Sequence, residues 1–238
     1  MAEIKGNISS FQSMGTLDGP GVRFVAFTQG CPLRCACCHN PETWGLNGGT
    51  VYTAEQVVNR ALKYKEYFGK TGGITLSGGE PLLQPEFTAE IFKLCRENGI
   101  NTCLDTSGCE PLADFVLDYT DYCLLDIKYT TDEQYKKYVG CSLAQPTYFL
   151  KQLNDRNIPT RIRQVIIKGL NDTPESIKRL KELVFPFKCV SEIELLPFRK
   201  LCVSKYEKLG LDFPLKETPE TAQEEINALQ KLCNALKM

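Results

Sequence analysis

Gly30-Cys31-Pro32-Leu33-Arg34-Cys35-Ala36-Cys37-Cys38-His39-Asn40-Pro41 follows directly on the apolar run at 22–29, VRFVAFTQ. A short strand therefore ends in a cysteine-rich loop. The C-x3-C-x2-C spacing of Cys31, Cys35 and Cys38 puts three thiolates within reach of one metal centre. On a four-iron cube, three thiolates leave one iron open to a non-protein ligand. A catalytic metal site withholds a protein ligand for the same reason. Other readings compete. A structural zinc site wants C-x2-C pairs separated by a longer span, and only one such pair fits cleanly here. A disulfide framework suits small secreted chains. No apolar leader follows Met1, so a reducing cytoplasm is expected instead. Cys95, Cys103, Cys109, Cys123, Cys141, Cys189, Cys202 and Cys233 are scattered and read as small buried hydrophobes.

Outward from that loop, apolar runs alternate with amphipathic stretches. Strands are expected at 22–29, 73–77, 100–106, 122–126, 160–167 and 189–196. Helices are expected at 54–68, with Thr53 as N-cap and Gly69 beyond the end, and at 85–97, closed by Asn98-Gly99. Further helical segments fall at 112–118, 132–138, 147–154, 174–184 and 220–236. Six βα units are too few to close an eight-stranded barrel. The expected fold is α/β, an open partial (β/α)6 barrel whose parallel six-stranded sheet carries outer helices, as a single domain over 1–238. Each chemical motif lies at a strand's C-terminal end, where such folds place their sites: the cysteine loop, Ser77-Gly78-Gly79-Glu80, Asp105-Thr106, Asp126-Ile127-Lys128 and Pro197-Phe198-Arg199.

The 238 residues, 42% apolar and 24% charged, support one sizeable core. A formal net charge of −1 argues against an electrostatic grip on nucleic acid. No apolar stretch is long enough to span a membrane. Asp105 and Asp126 end neighbouring strands, where two carboxylates repel unless something neutralises them. Oxygen-rich sites of this kind attract hard cations; N-capping and loop hydrogen bonds are the alternative. Lys128 shares a face with Asp126 by alternation. Of Arg161 and Arg163, one is expected to point into the barrel.

Taken together, Asp18-Gly19-Pro20-Gly21-Val22-Arg23, the cysteine loop with His39-Asn40-Pro41, Leu104-Asp105-Thr106-Ser107-Gly108 and Glu194-Leu195-Leu196-Pro197-Phe198 carry a resemblance that runs nearly end to end. The chain resembles the glycyl-radical-enzyme activases of the radical S-adenosylmethionine (SAM) superfamily. No cysteine lies between His39 and Leu94, so a ferredoxin-like insert is absent there. That favours the compact activases of pyruvate formate-lyase over those of other glycyl radical enzymes. The resemblance implies a [4Fe-4S] cluster on Cys31, Cys35 and Cys38, with SAM on the open iron. Its reductive cleavage makes a 5′-deoxyadenosyl radical that takes a hydrogen from a glycine of the partner enzyme. It implies SAM contacts from Cys37, Cys38, His39, Gly78, Gly79, Asp126, Ile127, Lys128 and Arg199. It also implies a monovalent cation (Na+ or K+) on Asp105, Thr106, Asp126 and the Leu124 carbonyl, and a glycyl-loop contact from Asp18. The implied electron donor is a flavodoxin or ferredoxin, and the chain is expected to be monomeric. Two positions depart from the family: Cys37 stands where an aromatic residue is usual, and Arg199 where a histidine is common. An activase of another glycyl radical enzyme, a radical SAM enzyme with a small-molecule substrate, and a non-catalytic iron–sulfur carrier are the alternatives. A carrier needs neither the Gly78-Gly79 turn nor the strand-end carboxylates.

Overall fold

A computed structural model describes residues 3–110 and 113–235. Six parallel strands form its centre: β2 (Arg23–Thr28), β4 (Gly73–Gly78), β5 (Asn101–Thr106), β6 (Tyr122–Asp126), β7 (Thr160–Ile166) and β8 (Val190–Pro197). Between and after them run α1 (Ala54–Leu62), α2 (Pro85–Glu97), α3 (Asp132–Tyr138), α4 (Ala144–Asp155), α5 (Pro174–Val184), α6 (Val203–Lys208) and α7 (Gln223–Ala235). The sheet stays open, as the count of βα units requires.

Two strands lie outside the six-strand expectation. β1 (Lys5–Gly15) and β3 (Thr50–Thr53) add on antiparallel, giving eight strands in the order β3-β1-β2-β4-β5-β6-β7-β8. β1 (KGNISSFQSMG) is polar and half-exposed, so it carries little apolar periodicity. Tertiary contact holds it: Phe11 stacks on Phe24 at 5.5 Å between ring centroids and meets Tyr52 edge-on at 5.2 Å.

Thr53 caps α1 in a full capping box with Gln56. The helix ends at Leu62 rather than continuing to residue 68. The chain tightens there, with Tyr64 N–H donating to the Ala61 carbonyl, and Tyr64 stacks on Phe24 at 5.5 Å. The expected segment at 112–118 is a 3-10 turn at Asp114–Tyr119, and Leu112 lies outside the described residues. α4 begins three residues before the expected 147, and α6 is an element the periodicity does not suggest. Among the described residues no helix is long and apolar enough to cross a membrane.

Candidate active site

A cavity of about 330 Å3 opens at the C-terminal ends of the parallel strands. Cys31, Cys35, Cys37, Cys38, His39, Ser77, Gly78, Gly79, Asp105, Thr106, Asp126, Lys128 and Asp18 all line it, joined by Trp44, Arg163, Val165 and Leu196. Residues more than a hundred positions apart converge because each follows, or lies on, a neighbouring strand.

The cysteine loop is held from several sides. Arg34 and Ala36 donate their backbone N–H groups to the carbonyls of Val139 and Tyr138, beyond and at the end of α3. Tyr206 of α6 donates its hydroxyl to the Cys38 carbonyl at 3.3 Å, and Lys205 reaches Asn40 at 2.9 Å. Arg34 lies over the Trp44 ring at 4.9 Å. Nothing in the local sequence marks this role of α6, because its tyrosine has no partner nearby along the chain. Burial pushes all four loop thiols up, Cys31 to about 12. Such thiols ionise when a metal takes the proton's place. The all-sulfur donor set suits iron–sulfur or zinc. Among the described residues no three Cys, His, Asp or Glu side chains converge on a point fit for a single ion. Cysteines on an iron–sulfur cube each take a different iron, so they need not meet at one point.

Gly78 and Gly79 sit where the end of β4 meets that loop. Gly79 N–H donates to the Thr28 carbonyl, and Glu80 N–H donates to the Gly30 carbonyl, both at 2.9 Å. Gly78 has φ +109°, and a Cβ on Gly79 would collide with the Gly30 oxygen. Glycine is thus required for the two backbones to touch. Glu80, fully buried, is a hub that its motif alone does not reveal. It accepts from Leu82 N–H, from Ser107 N–H at 2.9 Å and from the Thr106 hydroxyl at 2.6 Å. The Thr106 hydroxyl is thereby committed to Glu80 and also accepts from Gly108 N–H.

The strand-end carboxylates are neutralised by a cation of the chain itself. Arg163 donates to Asp126 at 3.1 Å and also to Asp105, and Lys128 Nζ pairs with Asp126 at 2.9 Å. Ser77 donates its hydroxyl to Asp105 at 2.7 Å. Burial raises Asp105 to about 6, against the pull of Arg163. Asp126 is buried too, but Arg163 and Lys128 together hold it down at about 2. Burial disfavours the charged Lys128, yet the Asp126 carboxylate outweighs that and keeps it protonated. Register explains the bridge: Arg163 is the Cα partner of Asp126 across β6 and β7. Arg161 and Arg163 share a face, being two apart on a strand, which corrects the expectation that only one turns inward. Their depth differs, and Arg161 pairs with Glu192 and Glu194 instead.

Asp18, in the turn that leads into β2, is brought to the cavity lining by a buried anchor. Its carbonyl accepts from the Thr75 hydroxyl at 2.6 Å, and Arg23 fastens the turn below it. Burial raises the Asp18 carboxyl. Ile127 is buried, its carbonyl accepting from Gln164 at 2.9 Å, and Leu124 pairs with Asp105 across β5 and β6. Ile127, packed in the main apolar core, and Arg199 are expected SAM contacts whose side chains the structure does not bring to the cavity. Arg199 donates through its guanidinium to the Thr221 carbonyl at 2.7 Å and lies 3.8 Å from Glu220. Its backbone carbonyl meets His39 Nε2 at 2.9 Å.

The radical SAM superfamily profile matches residues 25–184. Over 235 residues the chain is 43% identical to a pyruvate formate-lyase-activating enzyme of Clostridium pasteurianum, covering 98% of this chain and 99% of the other. It is 40% identical over 227 residues to pyruvate formate-lyase 1-activating enzyme of Escherichia coli K12, covering 90% and 92%. In fold it is similar to a crystallised domain of a pyruvate-formate lyase-activating enzyme from Bacteroides vulgatus, with TM-score 0.56 and 22% identity over 68% of this chain and 93% of that one. A radical SAM methyltransferase from Sphaerobacter thermophilus superposes with TM-score 0.65 at 18% identity, over 90% of this chain and 64% of that one. The cysteine loop, the crowded glycines and the end-to-end likeness converge, and the chain belongs to the radical SAM superfamily and, within it, to the pyruvate formate-lyase-activating enzymes.

Proposed function

We propose that this single domain activates pyruvate formate-lyase by taking a hydrogen atom from one of its glycines, with Cys31, Cys35 and Cys38 holding a [4Fe-4S] cluster and SAM lying against its open iron. The observation that carries this reading is the convergence, in one cavity, of those cysteines with Gly78-Gly79 and the Asp126–Lys128 pair. When bound, the cluster supplies the electron that splits SAM into methionine and the 5′-deoxyadenosyl radical that abstracts the hydrogen.

The chain's own residues bind, orient and exclude water. Gly78 and Gly79 leave room for close backbone approach, so a carbonyl there receives the methionyl ammonium. Lys128 stays charged beside the cluster cysteines and faces the methionyl carboxylate or the ribose. Cys37 packs on the adenine face, while His39, tied to the Arg199 carbonyl, and the backbone of Ile127 complete the adenosyl wall. Arg199 contributes through that carbonyl rather than through its guanidinium. Asp18, in the cavity lining, meets the glycyl loop of the partner.

A monovalent cation beside the SAM carboxylate is part of this reading. Asp105 and Asp126, the Leu124 carbonyl and the backbone of Thr106 are its donors, and each carboxylate oxygen keeps a lone pair beyond its bond to Arg163, Lys128 or Ser77. Flavodoxin or ferredoxin is the electron donor, the chain acts as a monomer, and twelve cysteines suit a reducing cytoplasm.

The test is anaerobic reconstitution with iron and sulfide, then mixing with pyruvate formate-lyase, SAM and a reductant. A glycyl radical signal in electron paramagnetic resonance is expected. A partner glycine carrying deuterium should pass it to 5′-deoxyadenosine, and unlabelled product from an active mixture overturns direct abstraction. Cys31→Ala, Cys35→Ala and Cys38→Ala should each lose the cluster and Cys37→Ala should keep it, read by iron and sulfide content.

A further inference from the structure

Cys109 and Cys141 belong to neither the cavity nor the cysteine loop, yet their sulfurs lie 2.9 Å apart, 32 positions from each other in sequence. That is only about 0.9 Å longer than a disulfide bond. Both sit in loops anchored on either side. Cys109 follows Ser107, which Glu80 grips, and its carbonyl accepts from Gln145 at 3.0 Å. Cys141 precedes Ser142, whose hydroxyl donates to Asp132 at 2.7 Å. The two sulfurs are thus held together by the fold, not by chance encounter. Their exposure differs: Cys109 is 3% exposed, whereas Cys141 is half-buried.

We infer that Cys109 and Cys141 form a redox-active pair that closes reversibly to a disulfide on reaction with a low-molecular-weight disulfide, Cys141 attacking and Cys109 resolving. The Cys141 thiolate attacks one sulfur of the small disulfide and expels the first thiolate. Cys109, losing its proton to solvent, then attacks the Cys141 sulfur and expels the second. The protein thiols give up two electrons and two protons, and the small disulfide leaves as two thiols. The order follows from access and from the S–H···S contact. Either sulfur can donate in that contact; with the more buried Cys109 donating, its own thiol is raised and Cys141 is drawn below its usual value.

Closure links the loop after β5 to the loop after α3. The cysteine loop rests on that second loop through the Tyr138 and Val139 carbonyls. The closed segment also spans Asp126 and Lys128. The pair therefore fastens two walls of the site without consuming a cluster cysteine.

The experiment treats the reconstituted protein anaerobically with oxidised glutathione, blocks remaining thiols with iodoacetamide, and maps linked peptides by mass spectrometry. The Cys109–Cys141 link should exceed any other cysteine pair by about tenfold or more and disappear with dithiothreitol. In Cys109→Ser, glutathione should stay trapped on Cys141. In Cys141→Ser neither product should form at Cys109. Iron content and circular dichroism, followed in parallel, keep the variants comparable. Wild-type protein that gives no such link, or gives links spread evenly among the buried cysteines, overturns the inference. So does glutathione trapped equally on Cys109 and Cys141 in the two variants.

Discussion

Arg23 on β2 and Arg163 on β7 are both largely buried, and they are satisfied in opposite ways. Arg23, with no exposed surface, opens β2 and donates only to uncharged acceptors. These are the Thr75 hydroxyl at 3.0 Å, the Asn101 side chain at 2.8 Å, and the carbonyls of Pro20, Thr71, Ile74 and Asn101. Burial lowers its affinity for the proton, though not enough to discharge a guanidinium. Arg163, its side chain 13% exposed, instead faces two carboxylates across the cavity floor. One arginine ties together backbone that would otherwise be under-bonded. The other holds together charges that would otherwise repel. The first is an architectural use of five fixed donors, and the second an electrostatic one.

Removing Arg23 breaks the architectural side of this contrast and gives the largest expected loss. Arg23→Met strands several buried acceptors and should cost about 3–5 kcal/mol in denaturant unfolding. SAM affinity per folded molecule should stay near that of the parent. Unchanged stability would mean that the carbonyls find other donors.

Arg163→Met should cost less, about 2 kcal/mol, because one freed carboxyl can take up a proton and the cavity admits water. Its effect on function is larger, with SAM binding by equilibrium dialysis weakened about tenfold or more. Adding Asp105→Asn to Arg163→Met should recover part of the stability, since one of the two repelling charges goes with it. Purely additive losses would separate Arg163 from Asp105.

Asp105 sharpens the comparison through pH. Its carboxyl is raised in the folded protein to about 6, so it binds a proton more tightly folded than unfolded. The stability this proton contributes is complete below the unfolded value near 4 and is lost as pH rises through about 6. Thermal melts should show that decline in the parent and a flatter profile in Asp105→Asn. Asp126 has the opposite sign: its depressed value gives stability present above about 4 and lost only as pH falls toward 2.

The smallest effect lies away from both arginines. Thr53→Ala removes the side-chain half of the α1 capping box and should cost about 1 kcal/mol with no change in SAM binding.

Local spacing makes much of the molecule legible along the chain. Cys31, Cys35 and Cys38, the Gly78-Gly79 turn and the Asp126–Lys128 pair are each close in sequence, and a motif is readable when its chemistry is contained within a few residues. The six parallel strands are readable for a similar reason, since their buried runs stand out against amphipathic helices. β1 is not, because its polar residues owe their place to pairing with β2 and to Phe11 against Phe24. The Arg163 bridge joins residues 58 and 37 positions apart, and the Cys109–Cys141 contact spans 32. Such contacts are set by strand register and loop anchoring, which depend on the packing of the whole sheet. The sequence by itself determined which thiols, glycines and carboxylates the chain carries and at which strand ends they stand. Only the tertiary structure decided which charges meet, because neutralising a buried carboxylate depends on distance through space rather than along the chain.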